Sequence, residues 1–75
     1  MFTVNQFLNF FKPDLPLYIT ICLVNPITLD QKDLFFKLSD FDIKNMDLEF
    51  FNSYVYDLRF FNVRNHLKIY SFSEV

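Results

Sequence analysis

Glycine is absent from this 75-residue chain, tryptophan is absent, and cysteine occurs once, as Cys22. Each absence closes off a class of chemistry. Without glycine there is no phosphate-binding P-loop, no dinucleotide fingerprint and no nucleophile elbow. With one cysteine there is no internal disulfide and no four-cysteine zinc site, which suits a reducing compartment. Turns must then use Asn, Asp and Pro. Charge of one sign is also lacking. Seven Lys and Arg stand against nine Asp and Glu, a formal net charge of −2. That balance gives no net positive field for nucleic acid, and it is too mild for an acidic mimic of DNA. The longest apolar run, Leu15 to Val24, contains Pro16 and Thr20 and is too short to span a bilayer. Met1 is followed by Phe2-Thr3-Val4-Asn5-Gln6 with no basic stretch, so we expect no secretory signal, no membrane association and a cytoplasmic protein.

What is present in excess is phenylalanine: twelve Phe and four Tyr. Residues 1–75 make one domain, and a chain this short buries only about 60–65% of its unfolded surface. Each large ring can bury about 150–250 Å². One small core cannot take sixteen rings, so we expect self-association or a partner on an aromatic face.

Periodicity predicts the elements. Thr3 and Gln6 match a capping box, and Phe2 can staple onto Phe7. Val4, Phe7, Leu8 and Phe11 share one helical face, and Pro13 ends the helix after Lys12. Leu17 to Val24 alternates as a strand that is apolar on both faces, hence central and covered on both sides. Asp33 to Leu38 is a second strand. Ser39 then caps a short helix running to about Leu48, with Ile43, Met46 and Leu48 facing the core. Ser53 to Phe61 is a third strand, with Tyr54, Tyr56, Leu58 and Phe60 on one face and Val55, Asp57, Arg59 and Phe61 on the other. Asn62 to Asn65 is a turn in which Asn takes positive φ, and Leu67 to Phe72 is a fourth strand. The expected fold is α+β: an N-terminal helix packed on a four-stranded, mainly antiparallel sheet, with a short helix between strands two and three.

No catalytic or metal constellation stands out. His66 has no nucleophile pattern beside it, and Cys22 lies mid-strand where a small thiol packs well. Asp40, Asp42, Asp47 and Glu49 suit a helix start and lack calcium-loop spacing. We expect no enzyme and no cofactor.

The informative cluster is on the closing hairpin. Period two puts Arg59 and Phe61 on one face of their strand, and Lys68, Tyr70 and Phe72 on one face of the next. Arg64 and His66 stand at the tip. Rings beside Arg and Lys suit nucleotides and single-stranded nucleic acid, and they suit a protein interface equally. Packing under the N-terminal helix or a loop would also account for Phe61, Tyr70 and Phe72. Phe35-Phe36 and Phe60-Phe61 each place rings on both faces of a sheet that one helix covers on one side only.

The succession Thr3-Val4-x-x-Phe7-Leu8, Leu17-Tyr18-Ile19-x-Ile21, Leu38-Ser39-Asp40-Phe41, Tyr54-Val55 and Leu67-Lys68-Ile69-Tyr70 resembles small proteins of phages and mobile elements of low-GC Gram-positive bacteria. This chain departs from that pattern in its missing glycine and its phenylalanine excess. The resemblance implies an interaction protein that inhibits a host or bacterial-defence protein in the manner of an anti-CRISPR, and the surplus of rings makes us expect it to be homo-oligomeric. The alternative it implies is sequestration of a nucleotide. It implies no particular site residue.

Overall fold

The computed structural model describes residues 2–10, 17–40 and 47–73. Helix α1 spans Val4–Leu8. Its capping box is formed as the sequence predicts: Gln6 N–H donates to Thr3 Oγ1 at 3.2 Å, and Thr3 N–H to Gln6 Oε1 at 3.0 Å. Asn9 ends it, short of the expected stop at Lys12, which lies outside the described residues. Phe11 lies outside them too. Phe2 meets Phe10 edge-on at 6.0 Å.

Strands β1 (Tyr18–Val24), β2 (Gln31–Lys37), β3 (Tyr54–Phe61) and β4 (His66–Phe72) form one sheet in the order β2-β1-β4-β3. The sheet is mixed, which corrects the mainly antiparallel expectation. Each hairpin is antiparallel inside, but β1 and β4 pair in parallel at the centre. Local alternation dictates each hairpin, whereas the way two hairpins meet is a long-range choice. β2 and β3 stand at opposite edges of the sheet, so β4, the hairpin partner of β3, runs alongside β1.

The short helix expected from Ser39 to about Leu48 falls largely on residues 41–46, outside the described residues. Ser39 and Asp40 sit in a 3-10 turn, Leu38–Asp40, that follows β2. The α-helical turn, α2, is Leu48–Phe51, capped by Asp47, whose side chain accepts from Glu49 N–H at 3.0 Å. Asp47 therefore caps this turn. Leu48 is exposed instead of buried, and Phe50 and Phe51 carry the core contacts. Ile43 and Met46 lie outside the described residues.

Val4 and Leu8 of α1 and Phe50 and Phe51 of α2 cover one sheet face. There they meet Ile19, Ile21 and Leu23 of β1, Phe36 of β2, and Leu67 and Ile69 of β4. Among the described residues no element packs on the other face of β1, where Cys22 is buried and Tyr18 is exposed. Two positive-φ residues stand in for glycine. Asn65 (φ 47) closes the β3–β4 turn as expected, and Leu29 (φ 64) closes the β1–β2 connection. Among the described residues no helix is long and apolar enough to cross a membrane.

Candidate functional site: the uncovered sheet face

Register assembles the uncovered face in rows across the four strands. Tyr18 of β1 stands between Lys37 of β2 and His66 of β4, and His66 faces Phe61 of β3. The next row runs Phe35, Thr20, Lys68, Arg59; the third runs Asp33, Cys22, Tyr70, Asp57. Val24, Phe72 and Tyr54 close it.

The alternation of β3 is broken. A bulge between Val55 and Asp57 inserts an extra residue opposite Tyr70. Tyr54 and Tyr56 therefore join Asp57, Arg59 and Phe61 on the open face, with the Tyr56 ring 6.3 Å from Tyr70 and 6.1 Å from Phe72. Val55 turns to the core, on the same side as Leu58 and Phe60. The sequence reading had placed Tyr54 and Tyr56 with Leu58, because a bulge leaves no mark in period-two spacing.

All seven hairpin residues singled out from the sequence lie on or beside this face. Arg59 Cζ is 5.7 Å and Lys68 Nζ 5.3 Å from the centre of the Tyr70 ring, a double cation–π contact. Phe61 stands 6.0 Å from His66. Phe72 lies 5.7 Å from Tyr54. Arg64 rises in the 3-10 turn Asn62–Arg64 at the tip. α1 and α2 lie on the opposite side, so the N-terminal helix does not pack on Phe61, Tyr70 and Phe72.

Sequence reasoning missed the contribution of the other hairpin. Tyr18 and Phe35 stack at 5.9 Å with an interplanar angle of 8°, and Phe35 meets His66 edge-on at 5.8 Å. Thr20 Oγ1 bonds His66 Nε2 at 2.7 Å and so fixes the imidazole on the face. The parallel β1–β4 pairing makes these contacts, across 46 residues in the Thr20–His66 case. No local signal predicts them.

The electrostatics are segregated. Among the described residues, Lys37, Arg59, Arg64 and Lys68 belong to this face or its rim, and Lys32 alone of the Lys and Arg lies elsewhere, bonded to Glu49 at 3.3 Å. Of the acids, Asp33 and Asp57 are here, and Asp57 is 3.8 Å from Arg59. Asp30, Asp40, Asp47 and Glu49 sit in turns and at α2. A chain of net negative charge thus presents a locally basic, ring-lined face. Lys68 holds its proton above the ordinary lysine range, chiefly through its bond with Tyr70, so it stays cationic. Burial pushes the Cys22 thiol up, helped by its bond to Asp33 and that carboxylate's charge. A buried, protonated thiol is a packing group here and a poor nucleophile. Among the described residues no group of His, Cys, Asp or Glu could hold a metal ion.

No known protein family matches the chain, no curated protein matches it, and no solved structure matches it.

Proposed function

We propose that this chain is a non-catalytic binding protein whose working surface is the uncovered sheet face, and that it binds nucleotides or single-stranded nucleic acid. The observation that supports this most is the placement of Arg59 and Lys68 amid accessible rings, in a protein whose overall charge is negative. A protein interface tends to exclude Lys and Asp from its centre, whereas a single strand offers phosphates to the cations and base faces to the rings. Successive outward residues of a strand are about 6.6 Å apart, so β4 presents His66, Lys68, Tyr70 and Phe72 as a regular ladder. Sequestering a nucleotide is also one of the two activities that the phage-like resemblance implies.

Fluorescence anisotropy with a labelled single-stranded oligonucleotide tests the reading. Affinity should fall as salt rises, with a log–log slope of about −0.7 per phosphate contacted. The double variant Arg59→Ala/Lys68→Ala should weaken binding at least about tenfold at low salt, since each charge-assisted contact contributes roughly 1.5–3 kcal/mol. No binding by the wild type at low salt, or a double variant that binds as well, overturns it.

The outer edge of β3 supports a second reading, self-association with another copy of this chain. Phe2 and Thr3 lie along its start, where Val55 N–H donates to the Phe2 carbonyl at 2.9 Å. Beyond that, among the described residues, no strand pairs with it. Leu58 is 40% and Phe60 54% exposed there. Long edges with exposed apolar residues invite strand pairing. Light scattering after size exclusion should give a dimer at concentrations on the order of tens of micromolar, reduced to a monomer by Phe60→Lys. A wild-type monomer under those conditions refutes it.

A further inference from the structure

Two recesses on the uncovered face share a wall. The larger, about 650 Å³, includes Thr20, Asp33, Phe61 and Lys68 in its lining; the smaller, about 330 Å³, is lined by Tyr18 and Phe35; Arg64 and His66 belong to both. Each lies within the range of about 300–1,000 Å³ usual for small-molecule sites. Resting on the nucleotide-binding reading above, we propose that the pair forms a site for a dinucleotide unit, with one base in each recess and the phosphodiester between them held by Arg64.

The smaller recess is built of rings. The Tyr18 and Phe35 rings lie nearly parallel in their stack, with 8° between their planes, and His66 closes the end. Such a wall takes a base by stacking and asks little of its identity. The larger recess has one ring pair, Phe61 and His66, and several polar groups. The Asp33 carboxylate there accepts hydrogen bonds only and repels a phosphate. It suits the exocyclic amine of adenine, cytosine or guanine, which uracil and thymine lack. The phosphate is thereby directed away from Asp33, toward the ridge between the recesses.

Arg64 stands on that ridge. It is exposed, and among the described residues it makes no ion pair, so its guanidinium is available to grip a phosphate in two-point fashion. His66 beneath it is held by Thr20, so the ridge is already shaped before any ligand arrives. Two bases joined by one phosphate reproduce this order of ring, cation and ring. A mononucleotide fills one recess only.

Isothermal titration with adenylate mononucleotide, a 5′-phosphorylated adenine dinucleotide, its uracil counterpart and a longer adenine oligonucleotide tests the proposal. The adenine dinucleotide should bind at least about tenfold tighter than the mononucleotide, the excess of one further stacked base. The uracil dinucleotide should be several-fold weaker. Arg64→Ala should abolish the advantage of the dinucleotide over the mononucleotide. Lys32→Ala, which is bonded to Glu49 away from both recesses, should leave dinucleotide affinity unchanged. Circular dichroism of each variant verifies the fold. A longer strand that binds while the dinucleotide gains nothing over the mononucleotide, or a gain that survives Arg64→Ala, overturns the dinucleotide site and leaves the broader reading standing. No binding by any of the ligands overturns both.

Discussion

Replacing Phe36 by alanine and replacing Phe35 by alanine remove the same ring from adjacent positions of β2. The two changes should have opposite consequences. Phe36 faces α2, is 8% exposed, and lies 6.0 Å from the fully buried Phe51. Its loss removes a large buried surface and leaves a cavity under α2, costing about 3–5 kcal/mol. Phe35 points to the uncovered face and is 62% exposed. It gives up its stack on Tyr18 and its edge contact to His66, together about 1 kcal/mol for rings so open to water. A domain of this length has roughly 4–11 kcal/mol of total stability. At about 4–8 °C per kcal/mol, Phe36→Ala should lower Tm by at least about 12 °C and Phe35→Ala by less than about 8 °C. Far-UV circular dichroism during heating and in urea is the assay, since there is no tryptophan to report. Binding should sort the other way: Phe35→Ala should lose nucleotide affinity, and a folded fraction of Phe36→Ala should keep it. Equal destabilisation by the two changes would refute the argument, because it would mean that the face called uncovered is buried in solution.

Two further outcomes follow from particular residues. Leu29 holds φ 64 in an exposed turn, a conformation that costs a non-glycine residue about 1 kcal/mol, so Leu29→Gly should raise stability by about 0.5–1 kcal/mol in urea titration. The Cys22 thiol, pushed up by burial, should resist thiol reagents at neutral pH until urea unfolds the chain. Because the unfolded thiol ionises first, at its ordinary 9.0, stability is intact below that pH and should fall as pH rises above it. Urea midpoints on either side of that value should show this extra fall in the wild type, and Cys22→Ala should lack it.

Much of this architecture is local and could be read along the chain. The Thr3–Gln6 capping box, the alternation of β1 and β4, and the positive φ of Asn65 depend on residues within a few positions of one another. The surplus of rings likewise follows from composition and chain length alone. The core role of Phe50 and Phe51 in α2 was not legible, because their burial needs the sheet. The bulge in β3 was invisible because its one extra residue shows only against the register of β4, and with it went the true facing of Tyr54 and Tyr56. The hairpin half of the site, Arg59, Phe61, Arg64, His66, Lys68, Tyr70 and Phe72, was legible because its two strands are neighbours in sequence. The other half was not. Tyr18, Thr20 and Phe35 reach it only because β1 pairs in parallel with β4, a contact between distant segments that side-chain periodicity does not encode. Sequence alone determined that rings would be left over. Tertiary structure decided that seven of them, Tyr18, Phe35, Tyr54, Tyr56, Phe61, Tyr70 and Phe72, lie beside four cations on one uncovered face, because α1 and α2 both pack on the other.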